Sequence, residues 1–267
     1  MTWIVANTLF AGYAVLISDV QVTWADVNGK RTEDCLRKVY AIAPNIACGF
    51  SGSVEIGFNL LADMHAFANA LRESGEALIP RDFAYKWHRR GRNIFSSYSD
   101  AKKKLGCSLI MATFSPYEFS GSAKRPRTDI ITFRHSNGFE PNIRPLGRST
   151  SIGSGSAVDR YLSSLNEMNT PQNRVAIENS DRFYMRGGMT IALILSTMLK
   201  DNPHPGISHK VHCTIVNANG VNSFPLDYEQ TNGDSVNEVK MPKVAESYSA
   251  FKAYEKKFIN GGSSAIA

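Results

Sequence analysis

Apolar residues gather in two short runs near the start of the chain. Trp3-Ile4-Val5-Ala6 and Tyr13-Ala14-Val15-Leu16-Ile17 are rich in β-branched and aromatic residues and flank a turn at Phe10-Ala11-Gly12. That pattern predicts a β-hairpin. A polar loop is expected from Trp24 to Asp34, followed by a strand over Leu36–Ala43, a turn at Pro44-Asn45 and a strand Ile46–Phe50 that ends in Ser51-Gly52-Ser53. The period then changes. Ile56, Leu60, Met64, Phe67 and Leu71 recur at three to four residues, which predicts a helix. Gly75 ends it, and Pro80 opens a second helical stretch to about Lys104.

Strands are expected again over Cys107–Phe114 and Asp129–Arg134, separated by a polar loop containing Lys124-Arg125-Pro126-Arg127. Ser151-Ile152-Gly153-Ser154-Gly155-Ser156 leads into a helix through Val158, Tyr161, Leu162 and Leu165. A helix over Met189–Leu199 is nearly all apolar, which predicts packing between layers. Val211–Val216 and Val221–Phe224 read as a hairpin around Asn217-Ala218-Asn219-Gly220. A polar link, a helix carrying Tyr248, Phe251, Tyr254 and Phe258, and a glycine-serine tail complete the chain. Long helices facing a mostly antiparallel pair of sheets predict an α+β layered architecture. No internal repeat or domain boundary stands out, so one domain is expected over residues 1–267, with a C-terminal extension from about 227.

The opening stretch does not read as a secretory signal, because no Lys or Arg precedes Lys30. It is also too short and broken for a membrane helix, which needs about 20 mostly apolar residues. Cys35, Cys48, Cys107 and Cys213 are scattered and form no CxxC pair, which predicts free thiols, a reducing compartment and a cytoplasmic protein. The net charge of +6, from 30 basic and 24 acidic residues, argues only weakly for a polyanionic partner.

The order TWIVANTLFAGYAVLISDVQV, LRKVYAIAP, IACGFSGS and SIGSGS resembles the catalytic β-type subunits of the proteasome family, which are amino-terminal-nucleophile hydrolases. HslV-type peptidases are similar in pattern, and the β-proteobacterial proteasome homologues are the most similar subgroup. The likeness spans roughly residues 2–216. It implies a four-layer αββα sandwich and a threonine-type endopeptidase with no cofactor and no metal. It also implies a homo-oligomeric double ring of fourteen, or alternatively twelve, subunits that takes peptide or unfolded protein, with an ATPase unfoldase as a possible partner.

The chemistry can be stated from the residues. A threonine hydroxyl is a poor nucleophile without an adjacent base. A terminal threonine carries its own, since a free α-amine has a pKa of about 8. Methionine is readily trimmed ahead of a small residue, so loss of Met1 would turn Thr2 into nucleophile and base together. By resemblance, Lys38 is the active-site lysine that lowers the threonine pKa and steadies developing negative charge. Asp19 is the carboxylate that holds the lysine, as a buried cation requires. Gly52 supplies the oxyanion N–H, although its stretch also reads as a strand-to-helix turn capped by Ser53. Ser154 stands by the threonine amine; the residues alone would also allow a helix cap or a weak phosphate loop. A full P-loop is excluded, since no Lys-Ser or Lys-Thr follows at the required spacing. Val22, Tyr40 and Phe50 fall near the S1 pocket, and the bulk of Phe50 predicts small or medium P1 side chains.

One departure stands out. Proteasomes proper carry an aspartate and a serine in the loop before the next-to-last strand. Here that loop, Asn202 to Lys210, has no aspartate in register, and Asp201 comes several residues early. HslV-type peptidases manage without that aspartate.

Other signals read differently. His204, His209 and His212 have no carboxylate or Cys at ligand spacing, so a solvated loop is expected rather than a metal site. The basic runs Lys86–Arg92 and Lys102–Lys104 lie on a predicted helix and read as a charged face or subunit contact rather than a nucleic-acid surface. The aromatic stripe at Tyr248–Phe258 is expected to dock on its own or a neighbouring subunit. The alternative to an enzyme is a non-catalytic ring or scaffold subunit.

Overall fold

The computed structural model describes residues 2–10, 12–26, 29–120, 123–144, 149–168, 170–172, 186–232 and 235–261. Strands run in chain order as β1 (Trp3–Phe10), β2 (Tyr13–Asp19), β3 (Gln21–Asp26), β4 (Gly29–Asp34), β5 (Val39–Ala43) and β6 (Ile46–Gly52). Helices α1 (Val54–Glu73), α2 (Pro80–Ser96) and α3 (Asp100–Lys103) follow. Then come β7 (Cys107–Ser120), β8 (Ala123–Arg134), β9 (Asn142–Arg144), β10 (Thr150–Gly153) and α4 (Asp159–Met168). The last elements are α5 (Arg186–Asp201), β11 (Val211–Asn217), β12 (Gly220–Pro225), β13 (Tyr228–Asn232), β14 (Ser235–Val239) and α6 (Tyr248–Gly261).

The chain is α+β, with antiparallel sheets. One five-stranded sheet has the order β10-β1-β2-β11-β12 and another the order β5-β6-β7-β8-β9. The opening hairpin forms as its sequence predicts, with Ile4 opposite Ser18 and Thr8 opposite Ala14; Ala11 of its turn lies outside the described residues. Strand alternation gives each sheet two apolar faces. Ile4, Ala6, Ala14 and Leu16 of the first sheet meet Val39, Ala47, Ile110 and Ala112 of the second in one buried cluster. The outer face of the first sheet carries Trp3, Val15 and Ile17 against Tyr161 and Leu165 of α4 and Ile191 and Leu195 of α5. The outer face of the second packs Cys48, Phe50 and Met111 against Ile56, Leu60 and Met64 of α1 and Phe83 and Trp87 of α2.

Local chemistry sets the boundaries. The Ser53 hydroxyl caps α1 by accepting the Ile56 N–H at 3.4 Å. Pro80 opens α2. That helix stops at Ser96 rather than near Lys104, because the Ser97 hydroxyl donates to Ile94 O at 2.8 Å and ends the turn; Asp100–Lys103 is a separate short helix.

Three polar stretches expected as loops or a link are hairpins. Trp24–Asp34 belongs to the β3–β4 ribbon, with Val22 opposite Glu33 and Thr23 opposite Thr32. The 124–127 segment lies in β8, whose pairing with β7 runs on past the apolar core, Ser115 opposite Arg127. The link after β12 contains the β13–β14 ribbon. Main-chain ladders hold these hairpins, so no buried apolar face announces them. Helix α5, expected between layers, instead covers one sheet face and leaves Leu193 and Ile194 exposed. No helix among the described residues is long and apolar enough to cross a membrane.

Candidate active site

At the end of β2, the Asp19 carboxylate is buried and accepts three hydrogen bonds. The Trp3 N–H donates at 2.8 Å, Lys38 Nζ at 2.9 Å and the Gln21 N–H at 3.1 Å. Lys38 Nζ also donates to the Gln21 carbonyl at 2.6 Å. Both side chains are shut away from water, at 2% and 0% exposure. Burial pushes the Lys38 ammonium below the usual lysine range, and Asp19 opposes that shift. Burial pushes the Asp19 carboxyl up, against the pull of Lys38 and the Trp3 N–H. An isolated ion in this position would be very costly; the pair holds because every partner is placed.

Thr2, at the edge of β1, is buried. Its N–H donates to Ser154 Oγ at 3.2 Å, and its carbonyl accepts the Ser154 N–H at 2.8 Å. Gly153 makes this approach possible. Its φ of +91° suits glycine, and an added Cβ would fall 2.0 Å from the Thr2 oxygen. Gly52 is equally constrained, with φ +98° and a Cβ position 2.4 Å from the Gly106 oxygen. The glycines that flank these sites are therefore fixed by geometry.

Two cavities meet at Thr2. The first, about 220 Å³, is lined by Val22, Lys38, Phe50 and Gly52 together with side chains of α6. The second, about 400 Å³, is lined by Ser154, Gly153, Ser51 and residues of β7 and β8. Thr2, Thr23 and Gly52 border both. Thus Thr2, Asp19, Lys38, Gly52, Ser154, Val22 and Phe50 converge. Tyr40 does not line either cavity. Its ring packs on Phe58 at 5.5 Å and its hydroxyl donates to Arg37 O at 2.5 Å.

Three features of the site go beyond what the sequence reading expected. Thr23 has a buried hydroxyl with no hydrogen-bond partner among the described residues. Helix α6 docks on its own chain, one of its two expected places, and beyond that expectation it walls the first cavity. Trp24 stacks on Phe251 at 6.0 Å, Trp24 Nε1 donates to Glu255 at 3.0 Å, and Tyr248 meets Phe58 at 5.7 Å. The aromatic period of this helix was the available signal. The third feature is Asp34. It accepts the Ser208 hydroxyl at 3.0 Å and the Gln21 side-chain amide at 3.3 Å, and pairs with Lys210 at 3.5 Å. A carboxylate thus reaches the 202–210 loop from β4, although the loop has none of its own.

The basic runs are engaged with carboxylates: Arg90 with Asp63 at 2.6 Å, Arg92 with Glu140 at 3.0 Å and Lys102 with Glu55 at 2.7 Å. All four cysteines are buried free thiols. His212 is buried in β11, and its Nδ1 has no hydrogen-bond partner among the described residues. Burial, then the Arg37 charge, pushes it down to about 4, with Glu246 and Asp227 opposing. No protein-family model matches the chain, and no curated protein matches it either.

Proposed function

We propose that this chain is a threonine peptidase of the amino-terminal-nucleophile type, with a four-layer αββα sandwich and Thr2 as nucleophile once Met1 is removed. The observation that carries the reading is the convergence of the Thr2 nitrogen on Ser154 and of the buried Lys38–Asp19 pair on the cavity that Thr2 borders. A buried lysine with a lowered pKa on a cavity wall is a recurring feature of functional sites.

In this mechanism the Thr2 Oγ attacks a peptide carbonyl while its own α-amine takes the hydroxyl proton. The Lys38 charge favours the alkoxide-like nucleophile, and Asp19 keeps that lysine oriented. Charge developing on the carbonyl oxygen is met by the Gly52 N–H. Collapse of the tetrahedral intermediate breaks the C–N bond, and the amine proton passes to the departing nitrogen. Water then adds to the Thr2 ester with the amine as base, releasing the acid and restoring Thr2. Phe50, Val22 and Phe251 narrow the first cavity, which favours small or medium P1 side chains.

Assembly into a homo-oligomeric double ring, with peptide or unfolded protein as substrate and an ATPase unfoldase as partner, accompanies this reading, as does a cytoplasmic location. The test is hydrolysis of fluorogenic peptides by the wild type, Thr2→Ala and Thr2→Ser. The alanine variant should lose all turnover and the serine variant should keep part of it. Equal turnover in the alanine variant rejects the mechanism.

A further inference from the structure

The two cavities differ in the charge they offer. The second is rich in hydroxyls, among them Ser108, Ser154 and Ser156. Among the described residues that line it, Arg134 carries the one full charge and none is a carboxylate. Arg134 sits near the end of β8 opposite Ser108. No ion-pair partner of Arg134 is present among the described residues. His135 follows it, with Nδ1 held 3.0 Å from the Cys107 carbonyl, so its ring edge stays at the cavity. A guanidinium with no ion-pair partner among the described residues, set among neutral donors, is a setting for an anion.

The direction of the reaction assigns the cavity. The departing amine must receive the proton that the Thr2 nitrogen carries. That nitrogen faces Ser154, which lines only the second cavity, whereas Lys38 lines only the first. The leaving group therefore lies on the Ser154 side. We infer that the second cavity receives the leaving-group side of a bound peptide, and that Arg134 selects an acidic side chain on the first residue after the scissile bond. This assignment of sides rests on the peptidase reading above.

The test uses the non-cleaving Thr2→Ala protein. Aspartate is walked through each position of one fluorescent peptide, and its affinity is compared with asparagine at the same position by anisotropy. Because Arg134 is exposed, the gain is modest, about fivefold at one position, and shrinks as salt rises. Arg134→Ala should erase it, and Arg134→Glu should transfer the preference to lysine, both with an unchanged melting temperature. In the wild type, cleavage should fall directly before that position. A wild type that hydrolyses peptides with no position showing an Arg134-dependent preference overturns this inference and leaves the peptidase reading standing. A wild type that hydrolyses nothing, with the Arg134-dependent preference present, overturns the peptidase reading and retains the anion site. Neither hydrolysis nor preference overturns both.

Discussion

Ser208 donates its hydroxyl to Asp34 at 3.0 Å, tying the loop before β11 to the end of β4 across 174 residues of chain. Asp34 also receives the Gln21 side-chain amide, and the Gln21 backbone supplies one N–H to Asp19 and one carbonyl to Lys38. Asp34 is therefore a positioning residue for the lysine rather than a group that touches substrate. Asp34→Asn should lower kcat about tenfold to a hundredfold with little change in KM, since small displacements of a charged group cost that much. Steady-state kinetics beside a thermal melt check this. An unchanged kcat in a folded variant would remove Asp34 from the site.

Lys38 and Asp19 are a fully buried ion pair. Lys38→Ala leaves an uncompensated carboxylate and should destabilise the fold by about 3–5 kcal/mol, as well as abolishing turnover. Urea denaturation measures the first effect. A loss below about 1 kcal/mol would mean that water reaches Asp19.

His212 gives a pH dependence of known sign. Its pKa is about 4 in the fold, against 6.5 ordinarily. The unfolded chain thus binds more protons between these values, and stability rises with pH across that window. The contribution is complete above about pH 6.5 and is lost as pH falls toward 4, amounting to up to about 3 kcal/mol. Urea midpoints measured from pH 4 to 7 should show this slope in the wild type, reduced in His212→Gln. Parallel curves for the two would contradict it.

Phe251 is buried in the wall that α6 forms over the first cavity. Phe251→Ala should cost about 3 kcal/mol and widen the cavity. Relative turnover should shift toward large aromatic P1 residues in a panel of fluorogenic substrates. A P1 profile identical to the wild type would detach α6 from specificity.

The parts of the site that were legible in the sequence are those where side-chain chemistry and backbone need coincide. Trp3–Ala6 and Tyr13–Ile17 announce their hairpin because both faces are apolar, and Gly153 and Gly52 occupy positions that other residues would clash at. Val22 of β3 and Phe50 of β6 both line the first cavity. Tyr40 lines neither cavity and packs on Phe58 of α1, a contact made only in the folded chain. The β3–β4 hairpin was hidden by polarity, although Asn28-Gly29 is a recognised turn pair in sequence. Asp34 joins Ser208 only in the folded chain, so no local pattern marks it. The aromatic period of α6 was visible, but its docking place depends on Trp24 and Phe58 from distant elements.

Turnover by this mechanism requires Thr2 to become a free amino-terminal nucleophile. Intact mass and peptide mapping of the purified protein after exposure to a peptide epoxyketone test it most directly, since that warhead bonds to both the oxygen and the nitrogen of a terminal threonine. The purified chain should lack Met1 and carry one adduct, located on Thr2 through both atoms. A chain that keeps Met1 and gains no adduct would contradict it.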